Sequence, residues 1–132
     1  NSGPRLSISD FEIGDVLGEG AFGSVCVCTR KETQAKYAVK IIEVVHANRH
    51  GGIQAVINER NVLIHLDSHP NIVKLMFTFR DADHLYIILE LATGGELFSH
   101  IQRLGTCHIN CARWLTAELV NGLEFIHSKQ VL

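Results

Sequence analysis

The chain has 132 residues, the size of one ordinary domain, and is 46% hydrophobic and 20% charged, so it can bury a core and is not disordered by composition. A formal net charge of −2 with no basic face argues against a nucleic-acid or acidic-membrane partner. No run of about 18 apolar residues is present to span a bilayer.

Asn1-Ser-Gly-Pro-Arg5 is a short polar lead without a signal-peptide pattern. The first residue is not Met, so a fragment or a processed chain is expected. The four cysteines, Cys26, Cys28, Cys107 and Cys111, are expected to be reduced thiols, in a protein of the cytoplasm or nucleus.

Residues 11–17 mix apolar and polar positions like a half-buried strand. Gly18, Gly20 and Gly23 are expected to make the turn that follows. Over 24–30, Val25 and Val27 alternate with Cys26 and Cys28, the period of two of a strand. Lys31-Glu-Thr-Gln34 is a polar turn. Residues 36–43 are dense in β-branched side chains and predict a third strand. Residues 44–52 read as a loop or short helix ending in Gly51-Gly52. Ile53, Val56, Ile57, Arg60, Val62, Leu63 and Leu66 recur at three-to-four spacing and predict a helix over 53–66, stopped by Ser68-His-Pro70.

Strands over 72–79 and 84–91 flank Asp81-Ala-Asp83 and predict a hairpin. Thr93-Gly-Gly95 breaks the chain. A short helix over 96–103 is ended by Gly105. Asn110 is placed to cap a long helix over 111–128, with Leu115, Leu119, Val120, Leu123 and Ile126 on one side. The fold class is α+β: a five-stranded antiparallel sheet with one main helix against it, then a helical part. The boundary falls at 90–95.

Gly18-Glu-Gly20-Ala-Phe-Gly23 matches G-x-G-x-x-G, a pattern that also opens dinucleotide-binding folds. A dinucleotide-dependent oxidoreductase requires a helix directly after the third glycine. Here the alternating segment 24–30 follows, so the glycines lie between two strands, where backbone amides can approach phosphate with no Cβ in the way. Lys40 sits on an apolar strand, where an unpaired ammonium is costly. Glu59, 19 residues further on in the predicted helix, is its natural partner. Cys107, His108 and Cys111, or Cys26 and Cys28, lack the second pair that a zinc site needs. His65 and His69 flank a helix end and are expected to be caps or surface residues.

Together, Gly18-x-Gly20-x-x-Gly23-x-Val25, Tyr37-Ala-Val-Lys40, Glu59, His69-Pro-Asn-Ile-Val-Lys-Leu75, Leu85-Tyr-Ile-Ile-Leu-Glu-Leu91 and Gly94-Gly-Glu-Leu-Phe98 resemble the first half of a eukaryotic-type protein kinase domain. Phe77-Thr-Phe79 and Thr116-Ala-Glu-Leu-Val120 are similar to the basophilic group of cyclic-nucleotide- and phosphoinositide-dependent kinases. The resemblance implies an N-terminal lead over 1–10, a small lobe over 11–89, a hinge over 90–95 and an incomplete large lobe over 96–132.

It further implies ATP and Mg²⁺ as cofactors, and Ser/Thr of proteins as phosphoryl acceptors. Gly18, Gly20, Phe22 and Gly23 would cover the phosphates, which Lys40, held by Glu59, would orient. Leu17, Val25, Ala38 and Val73 would line the adenine slot and Leu89 its back. Glu90 and Ala92 would offer backbone hydrogen bonds, and Glu96 would lie near the ribose and a basic peptide. In the same group, a pocket formed here by Ile53, Val56, Ile57 and Leu85, with Arg60 and Arg80 for a phosphate, would dock a phosphorylated hydrophobic tail of a partner or of the parent chain.

The family's H-R-D and D-F-G motifs, which supply the catalytic aspartate and the metal ligands, do not occur in these 132 residues. No catalytic residue and no metal ligand is therefore assigned, and the 132-residue chain alone is expected to be inactive. The alternative is a non-catalytic nucleotide-binding or docking module derived from a kinase.

Overall fold

The computed structural model describes residues 6–21, 23–49, 51–67 and 69–131. A single 3-10 turn, Ile8–Asp10, leads into β1 (Phe11–Gly20), β2 (Gly23–Arg30) and β3 (Lys36–Glu43). Two helices follow, α1 (Val44–Arg49) and α2 (Ile53–His65). Strands β4 (Leu75–Arg80) and β5 (His84–Leu89) complete a five-stranded sheet of order β1-β2-β3-β5-β4. Every neighbouring pair is antiparallel. Helices α3 (Leu97–Leu104) and α4 (Ile109–Ser128) come last. The α+β architecture expected from periodicity is the one observed.

Strand alternation divides the sheet's side chains between two faces. On one face Phe11, Cys26, Cys28, Val39, Tyr86 and Ile88 form a buried cluster, with Tyr37, Phe77 and Phe79 packed against it. Phe11 stacks on Phe79 at 5.7 Å between ring centroids and meets Tyr37 edge-on at 6.5 Å. On the other face Ile42 and Ile87 pack with Ala47 of α1 and Val56 of α2. The burial of Cys26 and Cys28 beside half-buried Val25 and Val27 is the alternation expected for β2. Burial also pushes the Cys28 thiol up to about 11.

Three local expectations are corrected. Gly18 and Gly20 are members of the β1–β2 ladder rather than turn residues, paired with Val25 and Gly23. The ladder runs almost to the tip because two register shifts let β1 follow the twist of β2. The cap of α4 is His108 rather than Asn110: its Nδ1 accepts the Asn110 N–H at 3.3 Å, so the helix starts two residues earlier than its apolar pattern indicates. Of the two histidines at the end of α2, His65 is an exposed residue as expected, whereas His69 is half-buried. His65 Nε2 lies 3.0 Å from the Lys129 carbonyl, and the His69 ring stacks on Phe125 at 4.6 Å.

The connection between α2 and β4 is thereby tied to α4. Asn71 Nδ2 donates to the Glu118 carbonyl at 2.6 Å and to its Oε2 at 2.7 Å. Gly122, the buried residue of α4, lies against Asn71. Trp114 and Leu119 line a concavity together with Asn71 and Gly122, and with Val120 they remain more than half exposed.

The β4–β5 hairpin turns at Asp81-Ala-Asp83 as expected. The Asp81 carboxylate accepts from the Asp83 and His84 amides at 2.9 and 2.7 Å and from the Tyr86 hydroxyl at 2.8 Å. These donors, the Tyr86 hydroxyl foremost, hold its pKa down at about 2 against an ordinary 3.8. Because the folded value is the lower one, the stabilisation is complete above the ordinary value and is lost as pH falls through this window. Thermal unfolding followed between pH 4 and 2 should show Asp81→Asn with a flatter acid limb than the wild type; parallel limbs would remove Asp81 from the account.

Gly23 is required by space. A Cβ built there would lie 1.8 Å from the Ile41 carbonyl oxygen, whereas a Cβ at Gly18 would meet nothing within 4 Å. Gly23→Ala should therefore lower stability by about 1–3 kcal/mol, the range for forced overpacking, while Gly18→Ala stays within about 1 kcal/mol. Chemical denaturation of the two variants measures the contrast, and equal midpoints would refute it.

Candidate nucleotide-binding cleft

The β-ladder places the candidate residues in lateral rows. Gly18 opposes Val25, Val25 opposes Lys40, and Lys40 opposes Ile87. Directly opposed residues of an antiparallel sheet project to the same side. Lys40 therefore shares the helix-side face with Ile42 and Ile87, which pack on α2. One step along, Ala38 opposes Leu89, so these two predicted residues are also neighbours.

Glu59 projects from α2 toward this row. Lys40 Nζ donates to Glu59 Oε1 at 2.8 Å and to Oε2 at 2.7 Å. The side chains keep 27% and 42% of their exposure, so this is a half-open ion pair and not a buried one. The sequence argument that burial forces Lys40 to find a partner is corrected accordingly: no charged residue is buried among the described residues. At this exposure the pair contributes on the order of 0.2–1 kcal/mol. Its consequence is geometric, since it fixes the ammonium at the helix-side edge of the glycine hairpin.

Val73, Glu90 and Ala92 line a cleft of about 210 Å³ together with Pro70, Asn71 and Ile72. The Glu90 amide donates to the Lys74 carbonyl at 2.9 Å, which leaves its own carbonyl as the backbone group to offer a ligand. The Glu90 carboxylate accepts from the Lys74 amide at 3.3 Å. Leu17 is 54% exposed and Val25 half-buried, both on the glycine hairpin. Glu96 is the exposed N-cap of α3, and its carbonyl accepts the His100 amide at 3.2 Å. Phe22 lies outside the described residues. Among the described residues, no group of three or more His, Cys, Asp or Glu is arranged to hold a metal ion.

A second concavity, of about 450 Å³, lies between α2 and β4–β5. All six residues assigned to a docking pocket, Ile53, Val56, Ile57, Arg60, Arg80 and Leu85, line it. The Arg60 guanidinium bonds Asn61 Oδ1 at 2.9 Å, and Arg80 is exposed. Sequence reasoning missed Val44, Asn48, Thr78, Phe79, Tyr86 and Ile87 in its wall. Two of these carried a signal: Thr78 and Ile87 lie two positions from Arg80 and Leu85, on the same strand faces. Val44 and Asn48 carried none, because 44–52 does not declare itself a helix.

The sequence model of the protein kinase domain matches residues 11–132. The chain is 41% identical over 123 residues to human putative 3-phosphoinositide-dependent protein kinase 2, covering 93% of this chain and 31% of that protein. It is equally 41% identical over 123 residues to human 3-phosphoinositide-dependent protein kinase 1, covering 93% of this chain and 22% of that protein. To the 3-phosphoinositide-dependent protein kinase 1 of Arabidopsis thaliana it is 44% identical over 119 residues, 90% of this chain and 24% of that protein. The chain thus spans less than a third of the length of these relatives. With the glycine hairpin, the Lys40–Glu59 pair and the family match over almost its whole length, this chain belongs to the protein kinase domain family.

Proposed function

We propose that these residues form the ATP-binding part of a protein serine/threonine kinase whose complete form transfers the γ-phosphoryl group of ATP to Ser or Thr of protein substrates. The observation that carries the reading is the bidentate Lys40–Glu59 pair beside the glycine hairpin. An ammonium held by a carboxylate on one side still has donors for phosphate oxygens on the other. In this reading residues 11–89 are the small lobe, 90–95 the hinge and 96–132 the start of the large lobe. Gly18, Gly20, Phe22 and Gly23 cover the phosphates. Leu17, Val25, Ala38 and Val73 hold the adenine, with Leu89 behind it. The Glu90 carbonyl and the Ala92 backbone bond its edge, and Glu96 serves the ribose or a basic peptide. Mg²⁺ accompanies the nucleotide, and no residue of these 132 is assigned to it. The cytoplasm, or the nucleus, is the compartment proposed.

Lys40→Ala, in the protein carrying its complete catalytic domain, should lower kcat by about 10²–10³-fold, as for other positioned electrostatic groups. Nucleotide affinity should fall by less than about tenfold, because the apolar slot supplies most of the binding. Steady-state kinetics with nucleotide titration tests this, and near-normal turnover would remove Lys40 from the role.

The docking concavity fits a phosphorylated hydrophobic tail, of a partner or of the parent chain: apolar side chains line it, and Arg60 and Arg80 sit on its wall. A peptide with paired aromatic residues and a phosphoserine should bind the native protein. Arg60→Ala or Arg80→Ala should weaken it by about tenfold, the loss of one charge-assisted hydrogen bond. The same peptide without its phosphate should be indifferent to either change. Equal binding of the two peptides to the wild type would overturn the phosphate assignment.

A further inference from the structure

We propose, building on the reading of Glu96 as a contact for the ribose or a basic peptide, that His100 is a positioning residue. It ties the Gly94-Gly95 turn back onto α3 and so aims the Glu96 carboxylate at a basic side chain of a peptide substrate. Glu96 follows two glycines, and Gly95 holds a φ of 78° that other residues rarely adopt. Such a segment does not by itself fix the direction of the next side chain. His100, one turn into α3 and half-buried, supplies what is missing. Its Nε2 is hydrogen-bonded to the Gly94 carbonyl, before Glu96, and its amide donates to the carbonyl of Glu96 itself at 3.2 Å. One residue thus holds Glu96 from both sides.

The partners of the ring set its tautomer. An Arg103 Nη lies 3.1 Å from His100 Nδ1. A guanidinium only donates, so Nδ1 accepts and carries no proton. The ring proton is then on Nε2, where it meets the Gly94 carbonyl, a group that only accepts. Both contacts require the same neutral imidazole, and both are lost in the other tautomer.

The Glu96 carboxylate is left free for a ligand. It does not cap α3, it is exposed, and among the described residues no cation pairs with it. It is also not part of the wall of the cleft that Val73, Glu90 and Ala92 line. An exposed carboxylate outside that cleft suits a guanidinium or ammonium arriving on a peptide better than a ribose held beside the adenine.

Steady-state kinetics of the protein carrying its complete catalytic domain, with an arginine-containing peptide substrate, tests the role. His100→Ala should raise KM for the peptide by about 3–10-fold, the worth of one net hydrogen bond. Its kcat and its KM for ATP should stay within about twofold, the pattern of lost uniform binding. His100→Gln, which keeps an N–H donor, should recover most of the loss. Glu96→Gln should raise the peptide KM at least as far, and adding His100→Ala to it should change nothing further. If Glu96→Gln leaves both KM values unchanged, the reading of Glu96 falls, and the role of His100 with it. If Glu96→Gln raises the peptide KM but His100→Ala does not, or if the two effects add, the reading of Glu96 stands and His100 is removed from it. A rise in KM for ATP instead would overturn the peptide as the ligand. Nitrogen NMR of the histidine-labelled wild type at mildly alkaline pH depends on no variant and should find His100 protonated on Nε2 alone; a proton on Nδ1 would overturn the tie to Gly94.

Discussion

The ion pair between Lys40 and Glu59 is the constraint around which the cleft is arranged, although it is not what holds the sheet and helix together. A half-exposed pair contributes at most about 1 kcal/mol. Burial of an aliphatic side chain such as Ile42, Ile87 or Val56 contributes about 1.5–3 kcal/mol each. Apolar contact therefore supplies the adhesion of α2, and the pair selects its rotation. One residue's turn of the helix, about 100°, would carry Glu59 away from the row that contains Gly18, Val25 and Lys40. Weak interactions with a single acceptable geometry are suited to this role, because they register a helix without locking it.

The two faces of the sheet differ in a way that serves this arrangement. The aromatic face is closed by stacked and edge-on rings and by the buried cysteines, and the hydroxyl of its Tyr86 is bonded to Asp81. It gives β1–β5 a rigid backing. The helix face is thinner: its buried cluster has four members, drawn from α1, α2 and the two central strands. The far end of α2 is moored separately, through His65 to the Lys129 carbonyl and through the following segment by His69 and Asn71 to α4. Helix α2 is thus held at one end by hydrogen bonds and ring stacking and near its middle by one ion pair.

Elements whose character is carried by immediate neighbours were legible in the sequence. The alternation of β2, the β-branched density of β3, the hairpin at Asp81-Ala-Asp83, the length of α2 and the glycine stop after α3 all rest on contacts or torsions within a few residues. Gly105 is an instance, since its φ of 76° is one that other residues rarely adopt.

The tertiary structure decided what depends on segments distant in sequence. Gly23 was legible as a turn glycine, but its need to be glycine comes from the Ile41 carbonyl of another strand. His69 read as a cap or surface residue, and only α4, more than fifty positions later, gives its ring Phe125 to stack on. The walls of the second concavity come from α1, α2, β4 and β5, and no local pattern announces which side chains will face one another. Periodicity determines which side of an element a residue occupies; the approach of elements, set by packing over the whole chain, determines what it meets there.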